Sequence, residues 1–99
     1  MQRIYLMRHG DAEKHAASGH DADRSLTSGG ARRVKLAARG LRRLESHDVE
    51  VVSSPFARAL ETARLVAEGL GQSAPVVWPE LASGAEPEAI VERLGSLDP

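Results

Sequence analysis

Arg8 and His9 are the first side chains along the chain that could carry out chemistry, because they follow directly after the apolar run at residues 4–7. A short apolar run ended by a glycine, here Gly10, is typical of a buried strand of a parallel sheet, and ligands bind at the carboxyl ends of such strands. An imidazole with one ring nitrogen free is a nucleophile, and a guanidinium group can bind two oxygens of one anion. The pair therefore predicts a nucleophile beside an anion-binding arginine.

A second arginine, Arg58, belongs to the start of a predicted helix. Ser54 and Pro55 are typical of a helix start, with the serine as N-cap and the proline at the first helical position. The N–H groups of a first helical turn favour anions, so Arg58 is placed to bind one. A helix-start arginine on its own is more often a solvated charge, and that alternative stays open at this point.

Two segments of the sequence resemble the histidine phosphatase superfamily, which has a phosphoglycerate mutase-like fold. They are Leu-Met-Arg-His-Gly-Asp-Ala at residues 6–12 and Ser-Ser-Pro-Phe-Ala-Arg-Ala-Leu-Glu-Thr-Ala at residues 53–63. Leu-Thr-Ser-Gly-Gly at 26–30 and Trp-Pro-Glu-Leu at 78–81 fall in the family order. The closer match is the small SixA-like branch of phosphohistidine phosphatases, since Asp11-Ala12 replaces the glutamate and later asparagine of the larger phosphatases and mutases.

The resemblance implies roles for four residues. His9 would accept the phosphoryl group, and Arg8 and Arg58 would hold it. Glu80, which is followed four residues later by Gly84, would be the general acid. The resemblance implies no cofactor and no metal. On its own chemistry, Glu80 is equally consistent with an ordinary loop carboxylate.

The implied function is a phosphatase that forms a phosphohistidine intermediate, and its implied substrate is phosphohistidine on a signalling (phosphorelay) protein. An imidazole, with a pKa of ~6.5, leaves phosphorus with little help, whereas an alcohol has to be protonated as it leaves. A site with an uncertain general acid therefore favours phosphohistidine. Two alternatives are a small-molecule phosphomonoesterase on the same site and a phosphate-binding module without turnover.

The patterns around these motifs predict an α/β fold. Apolar residues at helical spacing follow Thr27 or Ser28 as N-cap as far as Leu44, and follow Ser54 as far as about Leu70. Strands are predicted at residues 4–7, 48–53 and 76–78, loops at 11–25 and 79–87, and a short helix at 88–94. This alternation predicts a mainly parallel sheet with helices on both faces, which is a three-layer sandwich.

Residues 1–99 are expected to form the amino-terminal portion of a single domain. In the resembled family a later strand ends in a second catalytic histidine, usually after glycine or serine. None of His15, His20 and His47 follows an apolar strand in this way. We therefore expect the carboxy-terminal part of the domain, with one wall of the pocket, to lie beyond this sequence.

The composition predicts an ordinary globular protein. A formal net charge of −1 gives no general attraction to nucleic acid or to membranes, and the absence of cysteine excludes disulfides and cysteine-ligated zinc. No window approaches the ~20 apolar residues of a membrane span. We therefore expect a cytoplasmic protein whose partner is the phosphorylated substrate, and the sequence does not predict an oligomeric state.

Three other groups of residues have alternative interpretations. His15, His20, Asp21 and Asp23 lie in an irregular loop without the spacing of metal ligands, so no metal site is predicted. Arg24 either lines the mouth of the pocket, as the resemblance implies, or is a salt-bridged loop residue. The basic face of the first helix could contact nucleic acid, but such faces are usually only solvated.

Overall fold

A computed structural model describes residues 7–44 and 49–82 of the chain. The predicted strand at residues 4–7, apart from Met7, and the predicted helix at residues 88–94 lie outside these ranges. The described elements are helices α1 (Ser28–Leu44) and α2 (Ala57–Gly69), strands β1 (Val52–Ser53) and β2 (Val76–Val77), and 3-10 turns at Asp21–Asp23 and Pro79–Leu81.

Strands β1 and β2 pair in parallel, with Val52 opposite Val76 and Ser53 opposite Val77. Both strands are shorter than predicted, since Val49 to Val51 and Trp78 have no strand assignment. A parallel pair needs a crossover connection, and α2 supplies it. This arrangement confirms the α/β class, and it places the carboxyl ends of β1 and β2 at the same edge of the sheet.

Helices α1 and α2 pack against each other and form most of the core. Val34 of α1 meets Val66 and the adjoining Leu70 in one buried cluster. The helices approach closely where Gly69 faces Ala38, because a Cβ on Gly69 would lie 2.7 Å from the Cβ of Ala38. The buried residues of α2 and its end include most of the apolar positions predicted from helical spacing: Ala63, Val66, Ala67 and Leu70.

The start of α1 is joined to the segment that follows the predicted reactive histidine. Thr27 is the N-cap, as one of the two predicted candidates, because its Oγ1 accepts the Gly30 N–H at 2.8 Å. The backbone N–H of Thr27 donates to the carbonyl of Asp11 at 2.8 Å. Ala12, in the region predicted to be a loop, forms an antiparallel bridge with Leu26. The first helix therefore holds the chain directly beyond Gly10.

The start of α2 corrects the prediction that Ser54 is its N-cap. The helix begins at Ala57, and Phe56 is the N-cap, with an extended backbone (φ −67°, ψ 139°) and no side-chain cap bond. The Ser54 hydroxyl accepts the N–H of Phe56 at 3.4 Å, so it closes a serine turn before the helix. Arg58 remains in the first turn, as the second residue of α2.

The end of α2 is a Schellman motif. Gly69 is the last helical residue, and Gly71 has a φ of 69°. The Gly71 N–H donates to Glu68 at 3.1 Å, and the Gln72 N–H donates to Ala67 at 2.8 Å. The left-handed conformation that this motif requires favours glycine at position 71.

Two glycine substitutions in α1 are expected to have opposite effects on stability. In Gly30→Ala the new Cβ would overlap the carbonyl oxygen of Asp11 and lie 2.9 Å from its nitrogen. We expect the free energy of unfolding in urea to fall by about 1–3 kcal/mol. In Gly40→Ala the Cβ meets nothing within 4 Å, so the better helix former should raise stability by roughly 0.5–1 kcal/mol. An equal change in the free energy of unfolding in both variants would contradict the close packing of α1 on Asp11.

Candidate active site

His9 is exposed, and its ring is hydrogen-bonded to the backbone carbonyl of Gly10. Its Nδ1 lies 2.7 Å from the carbonyl oxygen of Gly10. A carbonyl oxygen can only accept a hydrogen bond, so Nδ1 carries a proton, and in the neutral imidazole Nε2 then keeps its lone pair. For the neutral ring, the geometry therefore favours the tautomer whose lone pair lies on Nε2.

The peptide after His9 is attached to α2 through Thr62. The Gly10 N–H donates to Thr62 Oγ1 at 3.0 Å. The same hydroxyl donates to the Arg58 carbonyl at 2.7 Å, one helical turn earlier. Thr62 is buried, with 5% of its surface exposed. The chain segment that carries the histidine is thus fixed to the helical turn that carries Arg58.

The Arg58 guanidinium is held on two sides, and only 12% of its side chain is exposed. Its Cζ lies 4.9 Å from the centroid of the Phe56 ring, which is a cation–π distance. Nη1 donates to the carbonyl of Asp21 at 2.9 Å, and Nη2 donates to the Asp21 carboxylate at 3.1 Å. The alternative that Arg58 is a freely solvated charge is therefore wrong. The guanidinium group has further N–H donors besides the two in these bonds.

Asp21 also binds Arg24, which ties the loop at residues 11–25 to α2. Arg24 Nη1 lies 2.7 Å from Asp21 Oδ1, and Arg24 Nε donates to the Glu13 carbonyl at 2.6 Å. This ion pair confirms that Arg24 is a salt-bridged loop residue. Hydrogen bonds from Arg24 and then from Arg58 hold the pKa of the Asp21 carboxyl below its usual range.

Arg8 and Glu80 complete the set of predicted site residues. Arg8 is exposed and forms no ion pair with another described residue. Glu80 lies in the 3-10 turn that follows β2, whereas Arg58 lies on the helix that follows β1. Because β1 and β2 are parallel, both residues come after strand ends at the same edge of the sheet. The buried Oε2 of Glu80 has no hydrogen-bond partner within the described ranges.

The described contacts link some of these residues and not others. His9 and Arg58 are connected through Gly10 and Thr62. None of the hydrogen bonds between described residues joins Glu80 to His9 or to Arg58. The described residues also include no group of three or more acidic, histidine or cysteine side chains that could hold a metal ion.

Sequence reasoning missed the roles of Thr62 and Asp21. Thr62 lies four residues after Arg58, and its polar side chain falls among apolar positions of the core-facing side of α2. A threonine on the core-facing side of a helix was the signal that could have indicated a buried hydrogen bond. Local patterns present Asp21 only as a possible metal ligand. Its bond to an arginine 37 positions away leaves no local pattern in the sequence, so this role could not be predicted.

The family model of the histidine phosphatase superfamily (branch 1) matches residues 4–83. The chain belongs to this superfamily. The matched range contains α1, α2, both strands and the turn that carries Glu80. Every described element that positions the candidate site is therefore part of the family match.

Individual relatives agree with this membership. An uncharacterized protein of Picosynechococcus sp. is 41% identical over 64 residues, which are 65% of this chain and 39% of that protein. Phosphohistidine phosphatase SixA of Escherichia coli is 39% identical over 80 residues, which are 80% of this chain and 48% of that protein. The chain spans about half the length, or less, of these curated relatives.

A solved structure shares the fold of this chain. The structure of the protein histidine phosphatase SixA complexed with tungstate gives a TM-score of 0.79 at 35% sequence identity. The likeness covers 89% of this chain and 56% of that one. The fold expected from the resemblance is therefore confirmed. Within the described residues, no helix combines the length and apolar character needed to cross a bilayer.

The Asp21 contacts predict a defined acid titration. Because hydrogen bonds from Arg24 and Arg58 lower the pKa of Asp21, they stabilise the fold above the ordinary carboxyl pKa. That contribution is lost as the pH falls through the lower, folded pKa. We expect the Asp21 carboxyl carbon, followed by NMR, to titrate below its usual range.

Substitution of the arginines tests the cause of this shift. Arg24→Gln should raise the Asp21 midpoint more than Arg58→Gln does, because Arg24 is the larger cause. Arg33→Gln is the control, since Arg33 pairs with Asp11 at 3.5 Å and not with Asp21. A midpoint that stays the same in all three variants would show that neither arginine lowers the pKa.

Proposed function

We propose that this chain acts as a phosphatase through a phosphohistidine intermediate on His9. The observation that carries the proposal is the His9 ring, whose Nδ1 donates to Gly10 and whose Nε2 is left as a nucleophile. Family membership and the resemblance to SixA support the same chemistry. Arg8 and Arg58 are proposed to bind the phosphoryl group, and the proposed mechanism uses no cofactor.

The proposed mechanism has two steps. In the first, Nε2 of His9 attacks phosphorus in line, a new N–P bond forms, and the bond to the leaving group breaks. In the second, water attacks the phosphorus, the N–P bond breaks, and inorganic phosphate leaves. Arg8 and Arg58 stabilise the charge that develops on the equatorial oxygens. The Nδ1–H bond to Gly10 stabilises the positive imidazole while Nε2 carries phosphorus.

An oxyanion site is supported by the surroundings of Arg58. The N–H groups of Ala57 and Arg58, in the first turn of α2, make no hydrogen bond to a described residue, so they are available to an anion. Phe56 and Asp21 hold the guanidinium in place before a ligand arrives. The related SixA structure was obtained as a complex with tungstate, which is a tetrahedral oxyanion like phosphate.

The proposed substrate is phosphohistidine on a signalling (phosphorelay) protein. The imidazole of phosphohistidine leaves with little acid catalysis, since its pKa is ~6.5. A phosphohistidine substrate is also the one named for the relative from Escherichia coli.

A small-molecule phosphomonoesterase is the second candidate, and Glu80 is the observation that favours it. Its buried Oε2 has no hydrogen-bond partner in the described part of the chain, so it is free to donate a proton to a leaving alcohol. An ester substrate needs this proton, because an alkoxide is a poor leaving group.

Two expectations from the sequence stay predictions. One is that residues 1–99 are the amino-terminal portion of a single domain, and the other is that the protein is cytoplasmic. The reading frame after Pro99 tests the first: an apolar strand ending in Gly-His or Ser-His would supply the second catalytic histidine.

His9→Ala should abolish both the phosphoenzyme and turnover. With a phosphohistidine protein carrying labelled phosphate, the native chain is expected to form an acid-labile, alkali-stable phosphoenzyme. The variant should form none, and its rate should fall on the order of 10³-fold or more. His15→Ala is the matched control, because His15 is an exposed loop histidine. Labelling that persists in His9→Ala would place the nucleophile elsewhere.

Glu80→Gln should separate the two candidate substrates. If Glu80 protonates a leaving alcohol, its loss lowers the rate on a phosphate ester by about 10²–10⁴-fold. The rate on phosphohistidine should change little, because imidazole needs little acid catalysis. The comparison uses kcat/KM for both substrates with the same preparation. An equal loss on both would contradict a role of Glu80 in leaving-group protonation.

A further inference from the structure

We infer that Thr62 is a positioning residue, whose hydroxyl sets the orientation of the His9 ring relative to Arg58. The inference rests on the proposed function and adds to it a residue that does not itself touch the phosphoryl group. Its basis is a continuous series of hydrogen bonds between the imidazole and α2.

The series has three bonds. The Nδ1–H of His9 donates to the Gly10 carbonyl at 2.7 Å. The N–H of the same glycine donates to Thr62 Oγ1 at 3.0 Å. The Thr62 hydroxyl donates to the Arg58 carbonyl at 2.7 Å. Gly10 is thus held by the imidazole at its carbonyl and by α2 at its nitrogen.

The bond to Gly10 distinguishes this threonine from an ordinary helical threonine. Threonine hydroxyls often bond to the carbonyl four residues earlier in their own helix, and that bond alone needs no further explanation. Here the oxygen also accepts a backbone N–H from 52 positions away. Because the hydroxyl proton is used on Arg58, the oxygen lone pair is directed to Gly10, and the buried group has both a donor and an acceptor role.

Packing alone leaves the orientation of the His9–Gly10 peptide less well determined. A Cβ on Gly10 would lie 2.8 Å from Val34 Cγ2 and 3.1 Å from the Gly30 carbonyl oxygen, so α1 packs closely against one side of Gly10. This packing limits translation of Gly10 toward α1. The directional bond to Thr62 fixes the orientation of the His9–Gly10 peptide. The carbonyl that accepts the His9 Nδ1 proton belongs to the next peptide and is joined to the first through the Gly10 Cα.

Thr62→Val and Thr62→Ser test the role of the hydroxyl. Valine keeps the shape of threonine and removes the hydroxyl, whereas serine keeps the hydroxyl. We expect kcat on phosphohistidine to fall about 10- to 100-fold in Thr62→Val with little change in KM, and serine to restore most of it. Thr62→Ala also removes the hydroxyl, and it replaces the valine variant if that protein does not fold.

Val66→Ala is the matched control for lost stability. Val66 is a buried residue of the same helix, one turn further on, and it packs in the core cluster with Val34. Its truncation should lower the unfolding temperature as Thr62→Val does, while kcat stays at the native value. If Val66→Ala and Thr62→Val lose the same activity at the same stability, Thr62 acts only through stability and the inference is overturned.

The tautomer of His9 gives a readout that does not need activity. Long-range ¹H–¹⁵N correlation should show Nδ1 protonated and Nε2 unprotonated in the native chain, in Thr62→Ser and in Val66→Ala. In Thr62→Val the two tautomers should mix. If the protein that contains this chain shows no turnover, the proposed function fails, but this spectrum still tests Thr62. A single unchanged tautomer in Thr62→Val would overturn the positioning role.

Discussion

The hydrogen bond from the Gly10 amide to the Thr62 hydroxyl joins two parts of the chain that are 52 positions apart, and the arrangement of the candidate site depends on it. Gly10 directly follows Arg8 and His9 in the chain, and Thr62 lies one helical turn after Arg58 in α2. Thr62 is buried, so its hydroxyl and the amide that it binds form their bond in place of bonds to water. Loss of the bond would leave polar groups without partners, which costs about 1–3 kcal/mol for each buried group.

Small residues make this contact possible. Gly10 and Gly30 let the chain beyond His9 approach α1, and Gly69 lets α1 approach α2 at Ala38. The close packing of the two helices then fixes α2, and with it Thr62 and Arg58, relative to Gly10. Phe56 and Asp21 hold the Arg58 side chain in turn. The site is therefore organised largely before an anion binds, which reduces the conformational entropy lost on binding.

Much of the fold could be predicted from local patterns, because helical spacing and parallel-strand runs are local properties. The α/β class and the buried face of α2 followed from such patterns, as did the Thr27 cap. The predicted start of α2 was wrong because Ser54 and Pro55 satisfy the local rule for a cap, whereas the Ser54 hydroxyl bonds to Phe56 in a preceding turn. Thr62 and Asp21 were missed for a different reason: their partners lie 52 and 37 positions away, and a distant hydrogen bond leaves no periodicity in the sequence.

The central claim is that Arg8, His9 and Arg58 bind one tetrahedral anion. The most direct measurement is a titration of the chain with tungstate, in which the ¹⁵N resonances of the His9 ring and of the Arg58 side chain are followed together. Both residues should shift with one shared midpoint. Arg58→Lys should weaken binding at both positions, since lysine lacks the planar guanidinium donors, whereas Arg33→Lys should not. Separate midpoints, or an Arg58 resonance that does not respond to tungstate, would contradict a common anion site.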